Sequence, residues 1–227
     1  MASLLDIGIY TISEAALLTG VSQWRIRRWL RGYEFKTKHG RHRSPPIWQG
    51  QIDPLGRSVV LGFLDLIEVR FVNAFLEAGV SWNTLRQAHS KAQEILNQKR
   101  PFCTNRFGTD GRAIFLQARE LTAEGGIYDV ANFQRVFDEI TLPFLKNLEF
   151  ASGEVAERWW PMGKEHAVAI DPRRNFGQPT IFDVGVPTRV LARSVQANGS
   201  VADVAQWFAI SVHSVEEAVA YERQLAA

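Results

Sequence analysis

The chain has 227 residues, of which 46% are hydrophobic and 22% charged, as expected for one large or two to three small folded domains. No stretch reaches the roughly 18 uninterrupted apolar residues of a membrane span, residues 1–10 lack the features of a secretory signal, and the single cysteine, Cys103, excludes an internal disulfide. We therefore expect a cytoplasmic protein.

Basic residues are concentrated near the N-terminus. Residues 1–58 hold nine Lys or Arg against four acids, and eight of the nine lie between Arg25 and Arg43, where Glu34 is the single acid. Residues 168–227 hold five basic residues against six acids. A basic cluster of this kind suits the phosphate backbone of DNA, although a solvated basic loop would have the same composition.

Two short helices are predicted at the start of the chain. Thr11 and Glu14 have the spacing of a capping box, which begins the first helix, and Gly20 ends it. Ser22 is the predicted N-cap of a second helix, which Gly32 ends. Two helices joined by so short a turn are typical of a helix-turn-helix.

The second helix is predicted to bury one face and to expose a basic one. The residues expected to pack on the first helix are Val21, Ile26, Trp29 and Leu30. The residues expected to project outward are Gln23, Arg25, Arg27, Arg28 and Arg31. Arg can pair with guanine and Gln with adenine. An ordinary surface helix would carry interleaved acids, and this one has none, so we predict that it binds DNA.

The segment that follows is predicted to form a wing. Pro45 and Pro46 exclude a helix, and Ile47 and Ile52 flank a polar turn, which suggests a short β-wing at these residues. The predicted phosphate contacts of the wing region are Lys36, Lys38, Arg41 and Arg43.

Two longer helices are predicted next. The first covers 60–78 and ends at Gly79, and Ser81 caps the second. One face of the second helix is apolar, with Leu85, Ala88, Ala92, Ile95 and Leu96. This density of apolar residues exceeds the need of one short module, so we predict a homodimer.

Two stretches in this region carry a family resemblance. The first is YTISEAALLTGVS at 10–22, followed by IRRW at 26–29, and the second is GVSWNTLR at 79–86. They resemble the start and the later helix pair of a MerR-type winged helix. The resemblance covers roughly residues 9–98 and implies a wing between the helix pairs and a homodimer.

The central region is predicted to contain hairpins and a helix. Residues 102–107 and 112–116 are expected to form two strands around the turn at 108–111. A helix with Phe137, Ile140 and Phe144 on one side is expected to kink or restart at Pro143.

A second hairpin is expected from residues 157–160 and 167–170. It would contain the paired Trp159 and Trp160. Such a pair more often fills a core, which we favour, and with Arg158 it is otherwise our candidate for binding a protein partner.

Three short helices are predicted at the C-terminus. They cover about 187–197, 201–208 and 215–226, and Ser200 and Ser214 have the spacing of N-caps to the second and third.

The C-terminal segment carries a second family resemblance. The motifs GQPTI at 177–181, VPT at 186–188, GSVADVA at 199–205 and VEEAVAY at 215–221 resemble a small helical domain of unknown function that recurs among VapB-like antitoxins. Together with the N-terminal helix-turn-helix, this domain resembles antitoxins of type II toxin–antitoxin pairs. The resemblance implies a PIN-type ribonuclease toxin as partner.

Catalytic and metal-binding patterns are weak. The five histidines are scattered without metal-ligand spacing to the cysteine, and Cys103 is expected to be a small buried residue. We therefore expect neither an enzyme nor a bound metal or cofactor.

These observations predict a mainly α fold with small β-hairpins. We expect a MerR-like winged helix-turn-helix at 1–98, a central hairpin and helix region at 99–166, and a three-helix, homeodomain-like domain at 167–227. The predicted function is an antitoxin that binds a double-stranded DNA operator, represses its own operon and neutralises its toxin. The alternatives are a MerR-like regulator with an effector site in the central region, and a protein-interaction adaptor with a vestigial helix-turn-helix.

Overall fold

The computed structural model describes residues 6–38, 40–53, 58–121, 130–150 and 153–226, with their side chains except those of 119–121, 130–134 and 136. The chain forms two compact units. The N-terminal unit comprises Tyr10–Leu145 and Ser152–Ala156, and the C-terminal unit comprises Met1–Ile9, Lys146–Ala151 and Glu157–Ala227. The described residues are mainly helical with short antiparallel strands, which confirms the prediction of a mainly α fold with small β-hairpins. Within these ranges, none of the helices is long and apolar enough to span a membrane.

The first helix begins and ends as predicted. After strand β1 (Tyr10–Thr11), helix α1 spans Ile12–Thr19. The Glu14 N–H donates to Thr11 Oγ1 at 3.2 Å and the Thr11 N–H donates to Glu14 Oε2 at 2.8 Å, which forms the predicted capping box. Gly20 ends the helix with a φ of 71°, a conformation that glycine adopts without steric cost.

Helix α2 spans Gln23–Arg31 and follows α1 after a short turn. The Ser22 hydroxyl accepts a hydrogen bond from the N–H of Arg25, so Ser22 is the predicted N-cap. Ile26 and Trp29 are buried, so the apolar face of α2 packs inward as expected.

A two-stranded hairpin lies earlier in the chain than the predicted wing, and we call this hairpin, 33–44, the wing from here on. Strand β2 (Tyr33–Thr37) pairs antiparallel with β3 (Gly40–Ser44), directly after α2. Our placement of the wing between Ile47 and Ile52 is wrong, because 45–53 lack strand structure. The aromatic and β-branched residues at every second position of β2 favour a strand, whereas prolines cannot donate to a strand ladder.

The two longer helices are confirmed. Strand β4 (Val60–Leu61) pairs with β1, and α3 then spans Phe63–Glu77. Helix α4 spans Trp82–Leu96, and Ser81 caps it by accepting from the N–H of Thr84 at 3.1 Å. Of its predicted apolar face, only Ile95 is exposed, and the buried members are Leu85, Ala88, Ala92 and Leu96.

The first predicted hairpin of the central region is wrong. Residues 102–107 and 112–116 do not form strands. A 3₁₀ turn at Pro101–Cys103 leads into α5, which spans Asn105–Leu121. Helix α5 includes Gly108 and Gly111, the two glycines of the predicted turn.

Those glycines allow close packing of helices. A Cβ atom at Gly108 would lie 2.5 Å from Leu145 Cδ1, and one at Gly111 would lie 2.8 Å from the Phe107 ring and 2.9 Å from that of Phe137. Because real Cβ atoms do not approach other atoms this closely, a Cβ at Gly111 would clash with two buried rings, and one at Gly108 would require the flexible end of Leu145 to move. Both glycines thus serve close packing and not a turn.

Helix α6 spans Val130–Lys146 and continues through Pro143. With α3 and α5 it encloses an aromatic core, in which the Phe75 and Phe115 rings lie 4.5 Å apart and the Phe102 and Phe107 rings 4.6 Å apart. Offset and tilted rings at such distances add to the free energy of burial.

Short strands open the C-terminal unit. Strand β5 (Leu148–Glu149) pairs antiparallel with β6 (Arg158–Trp159). The hairpin predicted from 157–160 and 167–170 is reduced to one antiparallel bridge, in which Trp159 and Ile170 exchange hydrogen bonds of 2.8 and 3.0 Å.

A three-stranded antiparallel sheet follows. Strand β7 (Val168–Ala169) pairs with β8 (Thr180–Ile181), which pairs with β9 (Val186–Pro187). Gly177 precedes β8 and Gly185 follows it, and both glycines have positive φ values, 83° and 71°.

Three helices end the C-terminal unit. They are α7 (Thr188–Asn198), α8 (Val201–Phe208) and α9 (Val212–Ala226), close to the predicted bounds. Ser200 caps α8 as predicted. Ser214 does not cap α9, because it lies within that helix and its own N–H donates to Ser211 Oγ at 3.0 Å.

Candidate nucleic-acid interface

Helix α2 presents a basic, exposed face. Gln23, Arg25, Arg27 and Arg31 are exposed, and Arg28 is half-buried, so the five residues predicted to project outward do so to different degrees. Exposed arginines without interleaved acids suit both base edges and phosphates.

An aromatic residue that we did not predict lies on the same face. Trp24 is 63% exposed in the first turn of α2. The Arg28 guanidinium lies 4.2 Å from the centre of the Trp24 ring and 3.4 Å from that of Tyr33. Arg28 therefore joins the helix to the wing, because cations are attracted to aromatic faces at such distances.

The wing carries its charges on one side and its rings on the other. Phe35 and His42 lie opposite each other with stacked rings 5.6 Å apart. On the other side, Lys36 lies opposite Arg41. Like charges directly opposite destabilise a strand pair, so a bound anion at this place would relieve the repulsion. The predicted wing residues are all exposed, namely Lys36, Lys38, Arg41 and Arg43.

Arg86 of α4 fixes the end of the wing. Its guanidinium donates to Ser44 Oγ at 2.9 Å and to the backbone carbonyls of Pro45 at 2.7 Å and Pro46 at 3.2 Å. Burial lowers the pKa of Arg86. The ordinary pKa of arginine is so high that the side chain nevertheless stays cationic. The carbonyls of Pro45 and Pro46 are not part of a strand ladder, and the hydrogen bonds from Arg86 satisfy them.

A buried carboxylate fixes the segment that follows the wing. Asp65 of α3 accepts hydrogen bonds from Trp48 Nε1 at 3.0 Å, from the N–H groups of Gln51 and Gly62 at 2.8 and 2.9 Å, and from Arg100 Nε at 3.1 Å. Both of its oxygens are used. This arrangement holds 48–51 against α3 and so supports the base of the wing.

A second buried carboxylate, Glu68, lies one turn further along α3. Its Oε2 lies 3.2 Å from His89 Nε2, and its Oε1 accepts the Phe102 N–H at 3.1 Å. Burial raises the pKa of the Cys103 thiol well above its ordinary value, and the charge of Glu68 raises it further. A thiol in this environment is a poor nucleophile. The described residues contain no group of three or more side chains arranged to hold a metal ion.

The candidates for partner binding lie inside the C-terminal unit. Trp159 and Trp160 are buried, the position that we favoured for the pair. Arg158 donates to Glu149 Oε2 at 2.7 Å and to Asp171 Oδ2 at 3.0 Å. The described contacts of Arg158 are thus internal, and its role towards a partner stays a prediction.

Comparison with known proteins identifies one segment. Residues 168–221 match the model of a family described as "Protein of unknown function (DUF433)". This agrees with the resemblance of the motifs between 177 and 221 to a small helical domain of unknown function.

Similarity also extends over the whole chain. It is 25% identical over 226 residues to the Mycobacterium tuberculosis protein named "Putative antitoxin VapB45", an alignment that covers 94% of this chain and 93% of that protein. The crystal structure of Rv2018 from Mycobacterium tuberculosis matches with a TM-score of 0.70 and 22% identity, covering 92% of this chain and 96% of the other. The structural likeness shows a shared fold.

Proposed function

We propose that this chain is the DNA-binding antitoxin of a type II toxin–antitoxin pair, which represses its own operon and neutralises a PIN-type ribonuclease. The observation that carries the DNA-binding part is the exposed basic surface of α2 and the wing. The similarity to VapB45 along 94% of the chain supports the part that concerns the toxin. We propose no catalytic activity for the chain itself. We propose that it acts in the cytoplasm, where it would encounter both its operator and the ribonuclease.

The two parts of the basic surface have different roles in this proposal. Gln23 and Arg27 extend from the first turns of α2 and would read base edges in the major groove, as the N-terminal residues of recognition helices do. Arg25, whose guanidinium donates to Asn73 Oδ1 of α3 at 3.1 Å, would contact the DNA from that fixed position. The lysines and arginines of the wing would contact phosphates, which fix the position of the protein without reading sequence.

We further propose a homodimer, which would place two copies of α2 in successive major grooves about 34 Å apart. The apolar residues of α3 and α4 that suggested a dimer interface are mostly buried within the chain. The dimer therefore rests on the resemblance to MerR-type regulators. Light scattering of the purified protein tests it, and a monomer at micromolar concentration would contradict it.

The regulator with a central effector site now has less support. An effector site in the central region would need aromatic side chains that are free to line a pocket. The rings of Phe102, Phe107, Phe115 and Phe137 are fully buried against one another in the core. Packing in the core therefore explains the presence of these four aromatic residues. The adaptor alternative predicts no salt-sensitive affinity for DNA, and this distinguishes it from our proposal.

The test is a DNA-binding titration. Fluorescence anisotropy would compare a labelled duplex of the chain's own promoter with a scrambled duplex of the same composition, between about 50 and 200 mM salt. We expect tighter binding to the promoter and a steep loss of affinity with salt for both duplexes. If the two duplexes bind with equal affinity and salt does not change it, the proposal that the chain is a DNA-binding repressor is wrong.

A further inference from the structure

A groove lies between α7 and α9 in the C-terminal unit, outside the basic surface described above. Its volume is about 690 Å³, within the roughly 300–1,000 Å³ typical of binding pockets. Ala192 and Val195 of α7 and Val219 and Ala226 of α9 form its apolar lining. Their side chains are short, which leaves space between two helices that otherwise pack against each other.

The groove is built on a rigid support. Leu191 of α7 and Val215, Ala218 and Tyr221 of α9 are buried in one apolar cluster behind it. Sites on packed helices keep their shape better than sites on loops. The two helices are therefore held together by buried apolar contacts.

Three arginines surround the groove. Arg189 and Arg193 lie one helical turn apart on α7, and Arg223 lies on α9. All three are exposed, and within the described part of the chain no carboxylate forms an ion pair with them. Their guanidinium groups are available for an acidic ligand.

The single acid in the lining is already engaged. Glu222 Oε1 accepts a hydrogen bond from Thr188 Oγ1 at 2.5 Å. Two other acids of this unit, Asp171 and Glu217, are buried in contacts with their own neighbours. The groove itself is lined by three arginines and one glutamate, so it is net basic although residues 168–227 hold five basic against six acidic residues.

We infer that this groove binds an acidic, amphipathic helix of the toxin. Its carboxylates would face Arg189, Arg193 and Arg223, and its apolar side chains would cover the alanines and valines, as in other helix-in-groove complexes. Helix α7 has 11 residues and spans about 16 Å at 1.5 Å per residue, which accommodates about three turns. The inference rests on the proposed function, because the toxin is the partner named there.

The experiment measures binding of the full-length chain to the full-length ribonuclease encoded in the same operon, by calorimetry. The test variant is Arg189→Glu with Arg193→Glu. The matched control is Lys146→Glu with Lys164→Glu, which makes the same change in charge at exposed positions of the same unit. We expect at least about tenfold weaker binding for the test variant and a change below about twofold for the control.

A second variant separates docking in the groove from long-range attraction. Ala192→Trp fills the groove without a change in charge, and it should also weaken binding at least about tenfold. Thermal unfolding of each variant shows whether the fold is kept.

The outcomes distinguish the two proposals. If the unmodified chain does not bind the ribonuclease, the proposed function is wrong and the inference falls with it. If the unmodified chain binds the ribonuclease and both groove variants, shown to be folded, bind it as tightly as the unmodified chain, only the inference is wrong. If the arginine variant loses affinity for DNA and keeps that for the ribonuclease, the groove faces nucleic acid and the inference is again wrong.

Discussion

The guanidinium of Arg28 lies 3.4 Å from the centre of the Tyr33 ring. Arg28 belongs to α2 and Tyr33 to β2, so this contact connects the helix and the wing of the proposed DNA-binding surface. The neighbouring Arg27 is exposed. Loss of Arg28 should therefore change both stability and DNA binding, whereas loss of the adjacent Arg27 should change DNA binding alone.

Replacing Arg28 should affect both folding and DNA binding. We expect Arg28→Ala to lower the free energy of unfolding by about 0.5–1 kcal/mol, because it removes a cation–π contact, and to weaken all DNA binding. Arg27→Ala should leave unfolding within about 0.5 kcal/mol and weaken specific binding by about 1–3 kcal/mol. Urea unfolding and anisotropy titrations measure the two effects. Identical results for both variants would mean that the Arg28 contact does not support the wing.

Charge removal in the wing should act on all sequences alike. Lys36→Ala and Arg41→Ala should each reduce the slope of log affinity against log salt by about one. Neither should lower stability, because each removes half of a like-charged pair across the strands. Lys99→Ala, at an exposed position outside the surface, is the control. An unchanged salt slope would exclude phosphate contacts from these residues.

Local features of this fold could be predicted from sequence, and long-range packing could not. The caps at Thr11 and Ser22 depend on residues three positions away, and they were predicted correctly. The hairpin around Gly108 was predicted wrongly, because Gly108 packs against Leu145, on another helix. A glycine that permits close approach and one that permits a turn have the same sequence signal.

The candidate site shows the same division. The exposed arginines of α2 follow from helical periodicity, so Arg27 could be predicted. The support of the wing by Arg86 and Asp65 depends on contacts across 42 and 17 positions of sequence, respectively, and nothing in the local pattern indicates them. Glu217 is a further example, because it is buried and its partners His166 and Ala167 lie 51 and 50 positions away in sequence.

Removal of the buried Asp65 charge should be costly. Asp65→Asn leaves Arg100 without its buried partner and replaces one accepting oxygen by a donor, although four donors point at this side chain. We expect a loss of about 3–5 kcal/mol in the free energy of unfolding. Asp110→Asn, which breaks an exposed pair with Arg106, should cost about 0–1 kcal/mol. Chemical denaturation of both variants measures the difference, and similar costs would contradict the buried role.

The pairing of Glu217 makes part of the stability depend on pH. Burial raises the pKa of Glu217, but hydrogen bonds from the Ala167 N–H at 2.6 Å and from His166 at 2.6 Å, with His213 nearby, outweigh this and lower it below its ordinary value. A carboxyl whose pKa is lower in the folded state stabilises the fold above its unfolded pKa, about 4.3 for glutamate. That contribution is lost as the pH falls through the folded-state pKa.

A comparison with Glu217→Gln isolates this contribution. The variant lacks the titrating group, so the difference in free energy of unfolding between the native chain and the variant should be largest near pH 6 and should shrink as the pH falls below about 4.3. Glu216→Gln, at the exposed neighbouring position, should show no such pH dependence. Urea unfolding at a series of pH values between about 3 and 6 measures both differences. A difference that grows towards low pH would mean that the pKa of Glu217 is raised in the folded chain, and that the buried contacts with Ala167 and His166 do not stabilise its charge.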